Sequence, residues 1–150
     1  MKHITLIQGH PDPAGGNFCH QLADAYLQGA AASEHAVEVI NVAQLEFPLL
    51  RSRAEFHGSP VPNDIARAQT VLANAEHLVF IYPIWMGTMP ALLKGFLEQA
   101  FRPGVAVNEL GDERCSKTEM ASQNGEKRAC RLLKKNYFHV LNPWDWWGCC

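Results

Sequence analysis

Two turns in this sequence could do chemistry, and each follows a short apolar run. One turn begins at Gly9 and reaches Asn17 through a pair of glycines, and the other extends from Tyr82 to Pro90. Turns of this kind leave backbone N–H and C=O groups exposed, so a flat polar ligand can lie against them. The chemistry that they suggest is the binding of one ligand between two corners of the backbone.

The turn that begins at Gly9 has features that suit a phosphate group. A glycine-bearing loop that leads into a helix collects free N–H groups at the positive end of the helix dipole. Asn17 is a good N-cap residue for such a helix. The loop has neither the P-loop pattern nor G-x-G-x-x-G, so a plain connecting turn is an equal alternative. Asp12 would repel a phosphate if it pointed inward, and we expect it to face the solvent.

The elements that must position these turns alternate between strand and helix. We predict strands over residues 3–8, 36–42 and 77–81, and helices starting at Asn17, at Asp64 and at Pro90. The first helix is predicted to bury a stripe at three- and four-residue spacing: Phe18, Leu22, Ala25, Tyr26 and Gly29. Residues 45–63 show no clear period, so we expect a long loop with a short helical piece at most. The alternation favours a doubly wound α/β sheet of order 2-1-3, with both turns at its switch point.

The same residues resemble the flavodoxin-like NAD(P)H:quinone oxidoreductases over residues 3–107. The resemblance rests on the segments Gly9-His10-Pro11, Asn17-Phe18, Tyr82-Pro83-Ile84-Trp85 and Met89 to Phe96. It implies a three-layer sandwich with a parallel sheet. It also implies an enzyme that transfers hydride from NAD(P)H, through a bound flavin (FAD or FMN), to a quinone-type acceptor.

The resemblance further implies which residues hold the flavin. Around the phosphate and ribityl chain it places His10, Asn17, Phe18 and Cys19. Flanking the isoalloxazine ring, mostly through backbone groups, it places Pro83, Ile84, Trp85, Met86 and Gly87. It gives Trp85 a catalytic role, as part of the nicotinamide and quinone pocket. On the residues alone, His10 could be an ordinary turn histidine, Trp85 could be a core residue, and Cys19 fits a small packing residue better than a reactive thiol.

The sequence departs from that family in two places. The family's phosphate loop usually carries Ser or Thr, whereas this chain has Ala14-Gly15-Gly16, so backbone amides and the Asn17 amide would have to substitute. After Val107 the family continues into a fourth strand, whereas residues 108–127 of this chain are polar and contain no apolar run long enough for a central strand, so we expect that strand to be missing. We also find no glycine turn after such a strand, although in the family that turn stabilises the reduced flavin.

The carboxyl-terminal segment, residues 108–150, has an unusual composition. Four of the five cysteines and three of the four tryptophans follow residue 114. We interpret residues 1–107 as the flavin-binding domain and the segment as the product of a frameshift, a deletion or an alternative exon. Residues 127–141 favour a helix docked on the sheet, or the segment is partly disordered. A three-stranded sheet with one bare edge would need cover from this tail or from another chain. That edge and the tryptophan-rich residues 144–147 both favour a homodimer.

Composition argues against several other classes of protein. The net charge is −2 and no basic stripe is present, which disfavours nucleic acid as a partner. No apolar stretch approaches the roughly 20 residues that span a membrane. The apolar run near the first residue is too short for a signal peptide. Five cysteines without paired spacing fit a cytoplasmic location. The histidines His20, His35, His57 and His77 lack metal-ligand spacing, so we expect no metal site.

Three classes of function therefore stay open. The flavin-dependent enzyme is the first, and the second is a truncated non-catalytic isoform or regulatory subunit with the same fold. The third is a structural or partner-binding module, which an ordered tail held against another protein would favour. A yellow protein that oxidises NAD(P)H in the presence of a quinone would separate the first class from the others.

Overall fold

The computed structural model of the protein describes residues 1–103, 105 and 138–141. Four strands are present in this part of the chain: β1 (His3–Gln8), β2 (Ala36–Asn41), β3 (His77–Ile81) and β4 (Phe138–Leu141). It also contains four α-helices: α1 (Phe18–Ala32), α2 (Arg53–Gly58), α3 (Asn63–Asn74) and α4 (Ala91–Ala100). A 3-10 turn at Val42–Gln44 follows β2.

The strands form one parallel sheet of order β2-β1-β3-β4. The predicted order 2-1-3 is confirmed. The structure corrects the expectation that this chain lacks the family's fourth strand, because β4 pairs with β3 from Leu78↔Phe138 to Ile81↔Leu141 and covers that edge of the sheet. The predicted helix is therefore wrong at Phe138–Leu141, where four residues extend along the sheet instead. Residues 108–137 and 142–150, with the other predictions made for the tail, lie outside the described residues.

Helices cover both faces of the sheet, which gives the predicted three layers. Because strand side chains alternate between faces, Ile4 and Leu6 pack toward α1, whereas Ile7 packs toward α3 and α4. In β3, Val79 joins the α1 side and Phe80 the opposite side. Burial on both faces explains why these strands read as continuous apolar runs.

The face that α1 buries differs from the predicted stripe. Its fully buried residues are Cys19, Ala23 and Ala30. The predicted stripe includes Phe18, but this side chain is 53% exposed at the first position of the helix. The prediction was wrong by about one residue of rotation, because small side chains, not the aromatic one, occupy the close contact with the sheet.

The long segment between β2 and α3 is a loop with one short helix, α2, as predicted. Two buried side chains near the end of α4 hold it in place. Gln99 donates from Nε2 to the Pro48 carbonyl at 2.6 Å, and Arg102 donates to the Ser59 carbonyl at 2.7 Å. Arg102 also donates to Gln99 Oε1, which links the two anchors. No helix in the described part of the chain is long and apolar enough to cross a bilayer.

The two turns singled out in the sequence meet at the carboxyl ends of β1 and β3. The Gly9 N–H donates to the Ile81 carbonyl at 2.8 Å, which continues the parallel pairing one step beyond the strands. A Cβ atom at Gly9 would lie 2.6 Å from Leu93 Cδ2 and 3.1 Å from Tyr82 Cβ. Glycine at this position therefore allows the two turns and the start of α4 to approach closely.

We expect Gly9→Ala to destabilise the protein by about 1–3 kcal/mol, because the added methyl group overpacks this junction. The matched control is Gly29→Ala on the open surface of α1, where an added Cβ meets no atom within 4 Å. That change should stabilise the protein by about 0.5–1 kcal/mol through helix propensity. Urea unfolding measures both free energies, and equal effects of one sign at the two glycines would contradict the close approach.

Candidate functional site

The first loop, residues 9–17, is held in shape by its own side chains. The His10 N–H donates to Gln8 Oε1 at 3.1 Å, and the Asp12 N–H donates to His10 Nδ1 at 3.1 Å. The Ala14 N–H donates to Asp12 Oδ1 at 2.9 Å. Gly15 and Gly16 then adopt φ values of +78° and +77°, a left-handed conformation that glycine tolerates without strain.

Free backbone donors gather where the first loop enters α1. Asn17 is the N-cap residue by position, but its side chain makes no capping hydrogen bond. Its amide instead contacts Asp12 Oδ2 at 3.4 Å. Among the described residues, no acceptor faces the N–H groups of Gly16 and Phe18 or that of Asn17. Unpaired N–H groups at a helix amino terminus are suited to bind an anion.

Asp12 is exposed, as predicted, yet its carboxylate folds back onto the loop. The Ala14 N–H, followed by the Asn17 amide, lowers the pKa of Asp12 below its ordinary value of 3.8. The carboxylate is therefore ionised at neutral pH, and it occupies donors at the mouth of the loop. These contacts were not predicted from the sequence. An Asp side chain that accepts from the backbone N–H two residues further along is a known turn signal, and it could have indicated the bond to Ala14.

The second loop, residues 82–90, carries a two-residue turn between Trp85 and Thr88. The Trp85 N–H donates to the Thr88 carbonyl at 2.8 Å, and the Thr88 N–H donates back at 3.1 Å. Met86 and Gly87 form the turn with φ values of +51° and +80°. Trp85 is 51% exposed and the Met86 side chain is fully exposed, so neither belongs to the core.

His10 brings the two loops into contact. Its ring centroid lies 6.2 Å from Trp85 on the second loop and 5.4 Å from His20 on the first turn of α1. Because Nδ1 accepts from the Asp12 N–H, the neutral His10 ring carries its proton on Nε2. Burial is the largest cause that lowers the pKa of His10 below its ordinary value of 6.5, and repulsion by the charge of His20 is the second.

Two polar side chains that the sequence analysis did not select lie beside this cluster. Gln8 is the last residue of β1, and its Nε2 is buried without a hydrogen-bond partner. Both ring nitrogens of His20 are also buried without a partner. A buried polar group without a partner is a signal for a missing ligand or water, and only the structure reveals burial of this kind.

The predicted site residues fall into two groups. His10, Asn17 and Phe18 lie on the first loop or at the start of α1, and residues 83–87 lie together on the second loop. Cys19 is different, because it is 2% exposed and packs with the apolar residues beneath α1. Burial raises the pKa of its thiol, which agrees with the packing interpretation. No group of metal-binding side chains occurs in residues 1–103.

Comparison with known proteins identifies the family. The sequence profile of the flavodoxin-like fold matches residues 2–140. This chain belongs to the flavodoxin-like fold family. The resemblance stated from the sequence is thereby confirmed, and the match extends beyond residue 107 into the fourth strand.

Individual relatives are more distant than the family match. An uncharacterised NAD(P)H oxidoreductase of Haemophilus influenzae is 25% identical over 118 residues, which are 75% of this chain and 56% of that protein. The chain spans about half the length of the curated relatives that it matches.

Solved structures share the fold at lower identity. The NAD(P)H:quinone oxidoreductase of Methanothermobacter marburgensis superposes with a TM-score of 0.64 at 22% identity, over 94% of this chain and 86% of that one. An FMN-dependent NADH-azoreductase of Bacillus anthracis, solved with FMN, gives 0.51 at 13% identity, over 69% and 57% of the two chains.

The environment of His10 predicts a distinct titration. In NMR, His10 should titrate below 6.5, and His20→Gln should raise its pKa because a neighbouring positive charge is removed. Asp12→Asn should lower it further, because the Asp12 charge favours the protonated ring. Since the folded state then binds fewer protons than the unfolded chain, this site reduces stability as the pH falls below 6.5.

His57→Gln, in α2, is the control for the titration, and it should leave the pKa of His10 unchanged. If His20→Gln and His57→Gln shifted the His10 titration equally, the contact between His10 and His20 would be refuted.

The turn in the second loop predicts a stabilising substitution. Met86 has a left-handed backbone that Asn adopts at lower cost, so Met86→Asn should raise the free energy of unfolding by about 0.5–1 kcal/mol. Met86→Ala keeps an ordinary Cβ in the same conformation and should not stabilise. Thermal or urea unfolding measures both variants, and a gain for Ala as large as that for Asn would contradict the explanation.

Proposed function

We propose that this protein is a flavin-dependent NAD(P)H oxidoreductase with a quinone-type acceptor, and that the flavin lies between the first and second loops. The observation that carries the proposal is the meeting of these loops at the carboxyl ends of adjacent strands β1 and β3. Ligands of open α/β sheets bind at this position, where the strand order reverses. The names of the relatives, NAD(P)H oxidoreductase and NAD(P)H:quinone oxidoreductase, agree with the reaction class.

The residues present fit a phosphate-bearing flavin at the first loop. The free N–H groups of Gly16, Asn17 and Phe18 would bind phosphate oxygens, assisted by the dipole of α1. No hydroxyl side chain is present between Pro13 and Phe18, so these main-chain groups replace the family's Ser or Thr. The side-chain role of Cys19 reduces to packing beneath the helix, and any contact that it makes with the flavin comes from its backbone.

At the second loop, the backbone of residues 83–87 would flank the isoalloxazine ring. When bound, the flavin supplies the capacity to accept a hydride from NAD(P)H and to pass it to the acceptor. The chain's own task is placement. The exposed Trp85 side chain offers a flat surface against which a nicotinamide or quinone ring can stack. The His10 Nε2–H, with its tautomer set by Asp12, is a hydrogen-bond donor beside that surface.

A second candidate function is a non-catalytic product of the same ancestry. The specific observation in its favour is the first loop, where no hydroxyl side chain is present between Pro13 and Phe18 and the Asp12 carboxylate occupies the Ala14 N–H and the Asn17 amide. Such a product would keep the fold, as an isoform or regulatory subunit, without turnover. A homodimer stays a prediction for either function, and light scattering of the purified protein tests it.

The deciding experiment is to purify the full chain and release any bound chromophore by heat. The enzyme should be yellow, release FMN or FAD, and oxidise NADH or NADPH when a quinone is added. A colourless protein that neither binds added flavin nor oxidises NAD(P)H would refute the proposal. Bound flavin without turnover would support the non-catalytic alternative.

The role of Trp85 gives a kinetic prediction. Trp85→Ala should reduce kcat/KM for NAD(P)H or the quinone by up to about tenfold, because a stacking contact contributes about 0.5–1.5 kcal/mol. Val39→Thr, at an exposed position on the edge strand β2, is the control and should leave kcat/KM unchanged. Equal kinetics for the Trp85 variant and the unaltered protein would exclude Trp85 from the substrate pocket.

A further inference from the structure

The first loop binds a negative charge of its own. Asp12 accepts the Ala14 N–H at 2.9 Å through Oδ1 and contacts the Asn17 amide at 3.4 Å through Oδ2. Both donors are of the kind that binds phosphate oxygens at a helix amino terminus. The Asp12 carboxylate thus occupies two donors, the Ala14 N–H and the Asn17 amide, that could otherwise bind a phosphate in this loop.

Gln8 supplies the independent sign that a ligand belongs here. It is 3% exposed, and the alternation along β1 places it on the α1 face, after Ile4 and Leu6. Its Oε1 accepts the His10 N–H at 3.1 Å, which fixes the orientation of the amide. Its Nε2, on the same amide group, is buried and has no acceptor in the described part of the chain.

A buried amide without an acceptor costs folding free energy, and a leucine or methionine at the end of β1 would avoid that cost. A ligand oxygen that enters the loop would satisfy Nε2 and recover the lost hydrogen bond. Asp12 opposes the same entry, because its carboxylate already accepts from the Asn17 amide and two anions close together repel each other.

We propose that Asp12 is an internal competitor for the phosphate group of the flavin, and that Gln8 is a donor that this phosphate satisfies once Asp12 has been displaced. Asp12 lowers the preference for a phosphate-bearing flavin over its uncharged counterpart, and Gln8 raises that preference. This inference rests on the proposed function, since the ligand is taken to be a flavin between the two loops.

FMN and riboflavin test the inference, because they share the isoalloxazine ring and ribityl chain and differ by one phosphate. The full chain, freed of any bound flavin, is titrated with each probe, and the quenching of flavin fluorescence gives the two Kd values. Asp12→Asn keeps an acceptor for the Ala14 N–H and removes the charge. It should tighten FMN binding by about tenfold, the size of one charge-assisted hydrogen bond, and leave riboflavin within about twofold.

Gln8→Met fills the same volume without a donor. It should weaken FMN binding by about tenfold and again leave riboflavin within about twofold. Asp24→Asn is the matched control, because it removes one negative charge from an exposed position on α1. At 0.15 M salt that distant charge is screened, so the ratio of the FMN and riboflavin Kd values should not change.

Each outcome decides a separate point. An unchanged FMN-to-riboflavin ratio in Asp12→Asn would overturn the competition, and equal weakening of both ligands in Gln8→Met would reduce Gln8 to a structural residue. If circular dichroism shows Gln8→Met unfolded, Gln8→Glu replaces it, since the carboxylate keeps the acceptor for His10 and should weaken FMN more strongly. If the unaltered protein bound neither riboflavin nor FMN, the flavin site itself would be refuted.

Discussion

The parallel pairing of β1 with β3 is the constraint on which the rest of the site depends. It runs from Ile4↔His77 to Gln8↔Ile81 and continues into the hydrogen bond from the Gly9 N–H to the Ile81 carbonyl. Because both strands pack against helices on both faces, a slip of one residue would exchange the side chains that meet α1 for those that meet α3 and α4, and this packing would be lost. The two loops that leave these strands are therefore held at a fixed separation, and neither could form the site alone.

Much of this arrangement follows from the sequence because it depends on long, simple patterns. Residues 77–81 form an apolar run between turn residues, and the adjacent helix begins after Pro90, so strand, loop and helix are each marked by a separate signal. The order of the strands follows from the family resemblance, since doubly wound sheets of this kind place the first strand between the second and the third. These features are set by which residues are apolar, and a sequence displays that directly.

Other features depend on contacts between distant residues, and the sequence does not display those. The rotation of α1 is decided by which side chains fit against β1 and β3, and the small Cys19 and Ala23 fit better than Phe18. The strand at Phe138–Leu141 is too short for periodicity to separate it from a helix, so pairing with β3 decides its conformation. In the sequence, Gln8 is only the polar end of a strand, and its importance comes from the burial of its Nε2 without a hydrogen-bond partner.

The anchors of the long loop between β2 and α3 have a consequence for how this protein can change over evolution. Gln99 donates a hydrogen bond to the main-chain carbonyl of Pro48, and Arg102 donates one to that of Ser59. Every amino acid has such a carbonyl. Side chains along the loop can therefore diverge between relatives while the path of the backbone is preserved. The surface that this loop presents can therefore change by point substitutions, provided that Gln99 on α4 and Arg102 just after it are kept.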